Sequence, residues 1–214
     1  MPPDPAAPLW RAAQVFRLLS CIYALGFQIA VNGDLERPAV GWALFAVLIG
    51  WSVACAAAYL QGFGRRPAWV IAEVAVVAVL MLSTEFVASD QWVAANQSWP
   101  TTLWATNATI SAAILFGPIA GMATALVVVA ASAALKGYVS IDVGRNATIV
   151  IELAVGLAIG MAAQTARRAH AELEEAARLA ASLEERDRLS RQVHDGAIQV
   201  LALVARRGRE IGGA

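Results

Sequence analysis

"TLWATNATISAAILFGPIAGMATALVVVAASAALK", residues 102–136, is an apolar run that ends on the only lysine of the chain. A helix crosses the hydrocarbon core of a bilayer with about 20 mostly apolar residues, so this run is one over-long helix or two. The segment "FGPIAG" at 116–121 weighs between them. Pro118 has no backbone N–H, and its ring disfavours helical backbone at Gly117. A tight turn there predicts two spans, 102–116 and 118–136; a kinked single helix is the alternative.

Working outward, four further apolar runs read as spans at 14–32, 39–60, 68–88 and 146–164. The basic residues favour six. Arg11 and Arg17 flank the first span, Arg65 and Arg66 separate the second from the third, and Arg167 and Arg168 follow the last. The positive-inside rule places all three sites in the cytoplasm, which needs an even number of spans. Lys136 and Arg145 then fall in an outer loop, which counts mildly against the scheme. The expected fold class is all-α: a polytopic membrane helix bundle of about six spans, continuing into a cytoplasmic coiled-coil and dimerisation helix.

Composition agrees. Hydrophobic residues make up 59% of the 214, beyond what a soluble domain of this size carries. The 16 basic and 16 acidic residues cancel, so net charge predicts no partner and no direct nucleic-acid binding. Their distribution is uneven: residues 1–164 hold 7 Lys/Arg and 8 Asp/Glu, residues 165–214 hold 9 and 8. That shift divides a membrane part from a water-facing part. The expected organisation is a disordered cytoplasmic tail at 1–13, a transmembrane domain at 14–164, a coiled-coil linker at 165–185, and a further helix at 186–214. Abundant Ala and Arg beside one Lys point to a GC-rich bacterial genome, hence the bacterial inner membrane with both termini cytoplasmic.

Polar groups within the spans are costly and are functional suspects by default. Glu85 near the outer end of the third span, Glu152 in the outer half of the sixth, and Asn107 are the candidate sensing residues. Gln28 and Asn32 fall at comparable depth and would complete a polar cluster. Glu73, nearer the cytoplasmic end of the third span, is expected to reach toward the interface. The outer loop 89–103, with Trp104, carries three tryptophans, which read as an interfacial aromatic belt. Cys21 and Cys55 sit in apolar runs and read as buried thiols rather than a disulfide framework.

From Gln164 the character changes to "QTARRAHAELEEAARLAASLEERDRLSRQVHDGAIQVLALVARRGREI", rich in helix formers and free of Pro. Leu173, Ala176, Ala180 and Leu183 repeat with the 3-4 spacing of a two-stranded coiled-coil seam. The phase slips before Leu189 and resumes through Val193, Ala197, Val200 and Val204, as at a stutter or stammer. His194 lies on the flank of that seam, while Asp195 and Gln199, four apart, share a second stripe. His170, among Arg167, Arg168 and Glu172, reads as a solvated linker histidine.

The segment "ERDRLSRQVHDGAIQVL", 185–201, closely resembles the phosphoacceptor helix of sensor histidine kinases. It is most similar to the subfamily that signals to NarL-type response regulators through an H-D/E-x-x-x-Q core. The membrane layout and "QVLALVARRG" look most like its MacS-like members; Gln192 stands where a Glu is more usual. The resemblance implies that His194 attacks the γ-phosphate of ATP, Asp195 orients the imidazole and accepts its proton, and Gln199 positions water in the reverse reaction. An unperturbed imidazole pKa of about 6.5 leaves a neutral, nucleophilic nitrogen at cytoplasmic pH. ATP and Mg²⁺ are implied through a domain that this sequence lacks, so the chain as given is expected to be inactive alone. A homodimer and a NarL-type response regulator are the implied partners, beside the lipid bilayer. The competing readings are a transporter-like or scaffolding membrane protein with a coiled-coil tail, and a truncated regulatory kinase relative. Two histidines in this setting do not supply a metal-dependent HD phosphohydrolase site.

Overall fold

The computed structural model describes residues 4–95, 99–136 and 147–211, with side-chain detail in the last helix running essentially through Leu189. Among them are seven α-helices and no strand: α1 Ala7–Val31, α2 Pro38–Gln61, α3 Pro67–Leu82, α4 Asp90–Ala95, α5 Thr101–Phe116, α6 Pro118–Lys136 and α7 Ala147–Ile211. Residues up to Arg167 form one compact unit, and Arg168–Ala214 form a second.

Proline and glycine punctuate the first unit. Pro38, Pro67 and Pro118 open α2, α3 and α6, where a missing N–H costs no hydrogen bond. Gly62 closes α2 in the left-handed conformation, φ 92°. Gly117 alone separates α5 from α6, at φ 96°, a region open mainly to glycine. The break read at "FGPIAG" is therefore a turn between two helices.

The helix ends alternate. At one end, Arg65 donates to Asp4 at 3.0 Å, and Trp10 stacks on Tyr59 at 4.6 Å. Ile110 and Ile114 of α5 join the same cluster, and Arg167 donates to the carbonyl of Ile114. At the other end, the N–H of Glu36 donates to Val87, and Ala88, Val93 and Trp99 pack with Leu35 and Leu135. The basic residues Arg65 and Arg167 thus share one end of the bundle with the start of α1.

Among the described residues, five helices are long and apolar enough to cross a membrane: α1, α2, α3, α6 and α7. The expected span at 102–116 is α5, 16 residues, about 24 Å at 1.5 Å per residue. It is the central helix, and every residue from Trp104 to Ile114 is buried. A helix buried all round belongs to a core, whatever its length.

The first helix shows what solvent this bundle is built for. Its buried face is Trp10, Ala13, Arg17, Ser20, Ala24 and Gln28. Its exposed face is Val15, Leu18, Leu19, Ile22 and Ile29. Apolar outside and partly polar inside is the arrangement that lipid selects, since continuous apolar surface of this kind is not left in water.

Three expectations are corrected here. Residues 7–13 are not a disordered tail but the opening turns of α1, held by buried Ala6 and Trp10. Arg17 is not a flanking cytoplasmic charge; it is buried inside the bundle. The tryptophans at 99 and 104 do not form an interfacial belt, because they are 1% and 0% exposed. Trp104 donates its indole N–H to Ser52 Oγ at 2.7 Å, which ties α5 to α2.

The second unit is a single stretch of α7 with some of its charges paired along the helix. His170 meets Glu174 at 3.2 Å, and Arg188 meets Glu185 at 2.8 Å. Leu173, Leu179 and Leu183 are 69%, 59% and 61% exposed. An isolated amphipathic helix leaves its apolar stripe uncovered, as a seam requires before it meets a partner.

Candidate functional site

Buried polar groups are expected to be hydrogen-bonded, so their partners define where this bundle spends its polarity. Three groups emerge, and α5 contributes to two of them directly.

The first joins α1, α2 and α3. Arg17 Nη2 meets Glu73 Oε1 at 2.5 Å, with the two side chains 3% and 0% exposed. Tyr59 donates its hydroxyl to Glu73 Oε2 at 2.5 Å, and the Arg17 guanidinium lies 5.7 Å from the centre of the Tyr59 ring. Gln14 accepts from Arg17 Nε at 3.0 Å. Arg17 Nη1 has no hydrogen-bond partner among the described atoms. Glu73, expected to reach toward the interface, is instead the anionic centre of the bundle. Its missed signal was Arg17, a charge inside one apolar helix as Glu73 is inside another, a pattern that calls for pairing.

The second group joins α5 to α7. Glu152 accepts from the hydroxyls of Thr106 and of Thr109, the latter at 3.0 Å. Nearby the backbones of α6 and α7 close together: a Cβ on Gly156 would lie 2.6 Å from the backbone of Gly121, and one on Gly160 would lie 2.4 Å from Pro118. Small residues permit this approach. Arg167 then donates to the end of α5, so α7 is fixed to α5 by side chains at two levels.

Asn107 belongs to neither. It donates to Ser20 Oγ at 2.9 Å and to the carbonyl of Trp104 at 2.7 Å, facing α1 while Thr106 faces α7. Glu85 lies on the 3₁₀ turn after α3, its side chain exposed. The expected cluster of Glu85, Glu152, Asn107, Gln28 and Asn32 is therefore not assembled. Glu152 and Asn107 are buried polar anchors on opposite faces of α5, and Glu85 stands apart from both.

Gln28 belongs to a third feature, a cleft at the end of the bundle opposite Arg65. Gln28 donates to Asn32 Oδ1 at 3.2 Å. The cleft and the open space at its mouth together span about 480 Å³. It is lined by residues of α1, α2, α3 and α5 and by Trp92 of the short helix α4. Sequence reasoning picked Gln28 by its depth but found neither Thr101 nor Gly41, which line the cleft with it. Gly41 lies in apolar sequence and Thr101 just after Pro100, and only packing brings them together.

His194, Asp195 and Gln199 lie on α7, and their side chains fall outside the described residues. Both cysteines are free, Cys55 fully buried and Cys21 half-buried.

Comparison with curated proteins and with solved structures gives no match. One family matches residues 6–174, which takes in the whole bundle and ends before His194: the chain belongs to DUF5931, a family of unknown function.

Proposed function

We propose that this protein is the membrane sensor and phosphoacceptor portion of a two-component sensor histidine kinase, acting as a homodimer in a bacterial inner membrane. The observation that carries the proposal is α7. One uninterrupted helix, Ala147–Ile211, holds both the anchors in the bundle and the H-D-x-x-x-Q sequence at 194–199. A two-state shift of such a helix is a physical route from a membrane event to a phosphoacceptor. The shared end of Arg65 and Arg167 supports the positive-inside orientation, with the start of α1 and the end of α7 in the cytoplasm.

In this reading a separate ATP-binding domain, holding ATP and Mg²⁺, presents the γ-phosphate to His194. The imidazole nitrogen forms an N–P bond as the bond to ADP breaks, and Asp195 takes the imidazole proton. The phosphoryl group then passes to an Asp of a NarL-type response regulator. Gln199 orients water for the reverse, phosphatase direction.

The test is to supply the full chain with an ATP-binding domain from a kinase of the same type, fused or in trans. Acid-labile, base-stable label from ATP is expected, and it disappears in His194→Gln. Label that persists in His194→Gln, or none with any fused domain, overturns the kinase reading and leaves the transporter-like or scaffolding one.

A further inference from the structure

We infer that Arg167 is the latch of the output helix: its contact with the end of α5 sets the direction in which α7 leaves the bundle, and α7 pivots on its glycines when that contact opens. The acceptors come from a break in the chain. Arg167 Nη2 donates to the backbone carbonyl of Ile114 and, at 3.3 Å, to that of Leu115. The last carbonyls of a helix have no intrahelical donor. In a continuing helix the Ile114 carbonyl would accept from residue 118, and that residue is Pro118, which has no N–H. The break between α5 and α6 therefore leaves an acceptor open at the negative end of a helix, and a cation from α7 fills it.

Three contacts hold the membrane part of α7, and they differ in how easily they open. Glu152 is 3% exposed, so water does not replace its hydroxyl partners on α5. Gly156 and Gly160 lie so close to Gly121 and Pro118 that no Cβ fits between them. That contact is backbone on backbone, and no side-chain rotation undoes it. Arg167 is half-buried, is the last residue of the first unit, and meets neutral acceptors. Its guanidinium and the carbonyls can both take water there, so this contact opens before the other two.

The glycines are also where the helix yields. Ala169 lies nine residues beyond Gly160. At 1.5 Å per residue that is about 13 Å from the pivot, so a swing of about 20° displaces it by about 4 Å. Because α7 continues without a break to Ile211, a change of direction passes along one helix. As a switch for phosphorylation the latch rests on the sensor reading above; as the contact that positions α7 it does not.

The experiment uses the full chain with Cys21→Ala and Cys55→Ala in nanodiscs, spin-labelled at two pairs of positions and diluted with unlabelled chain to suppress distances between copies. One pair, Leu60 and Ala169, reads α7 just past Arg167. The other, Ile29 and Val150, reads its opposite end. All four residues are exposed. Arg167→Met keeps the alkyl stem and removes the donors. It is expected to shift or split the first distance by about 4 Å while the second holds. Arg168→Met, one position on and exposed, is expected to change neither. If Arg167→Met does not fold, Arg167→Gln, polar but too short to reach the carbonyls, is read in the same way.

An unchanged first distance in the Arg167 variant overturns the latch, as does an equal shift in Arg168→Met. A shift at both pairs shows that α7 comes away as a whole, and it overturns the pivot. No phosphorylation is measured, so failure here leaves the kinase reading standing, and failure of that reading leaves this one.

Discussion

Arg17 and Glu73, 56 residues apart in sequence, meet at 2.5 Å where neither side chain is more than 3% exposed. Two charges buried this deeply are tolerable together and costly singly. Arg17→Met should therefore lower stability by about 3–5 kcal/mol, because it strands the Glu73 carboxylate. Arg17→Met combined with Glu73→Gln should recover most of that loss, since Gln still accepts from Tyr59. Unfolding by SDS titration from mixed micelles measures both; a double variant no more stable than the single one would contradict the pairing.

The α6–α7 contact makes a sharper distinction between glycines. Gly156→Ala places a methyl 2.6 Å from the backbone of Gly121, where neither side is a flexible side chain. The helices must separate, at about 1–3 kcal/mol. Gly50→Ala in α2 meets nothing within 4 Å and should be neutral or stabilising by about 0.5–1 kcal/mol. The same unfolding assay ranks the two, and equal effects would show that α6 and α7 are not in backbone contact.

Glu152 offers a test of its two threonine donors. Glu152→Gln keeps an acceptor for one hydroxyl and should cost little, whereas Glu152→Ala should cost about 1–3 kcal/mol. Thr106 and Thr109 can turn back onto their own helix, which puts the expected loss toward the low end of that range. In a kinase-competent fusion, Glu152→Ala should also change the basal label on His194 while leaving ATP affinity alone.

The second unit predicts its own partner. Exposed Leu173 and Leu183 share a 3-4 seam with Ala176 and Ala180. In a background lacking Cys21 and Cys55, Ala180→Cys should form a disulfide-linked dimer rapidly under mild oxidation, and Arg178→Cys slowly. Position 178 falls on the outer side of the heptad that has 173 and 180 at its core. Similar rates at both positions would argue against a homodimeric coil.

Much of the fold was legible because membrane helices announce themselves. Twenty apolar residues and a Gly-Pro pair carry their meaning locally, and the boundary at Pro118 follows from a missing N–H. The shift in charge after Gln164 lies close to the division between the two units at Arg167 and Arg168. The site was less legible. Glu152 and Asn107 were found because polar residues in apolar sequence stand out, but their partners were not, because Thr106 and Ser20 do not stand out.

By itself, then, the sequence located the long apolar helices and the charge shift after Gln164, and favoured a break at Gly117 and Pro118; it did not find α4. What it located depends on hydropathy, charge or proline within a few residues. Only tertiary structure decided that Arg17 and Glu73 neutralise each other and that Glu85 lies apart from Glu152. It also placed the tryptophans at 99 and 104 inside, and gathered Gln28, Gly41 and Thr101 around one cleft. The physical reason is the same throughout: which face of a helix is buried depends on its neighbours, and in a bundle solvated by lipid the apolar pattern does not mark the inside.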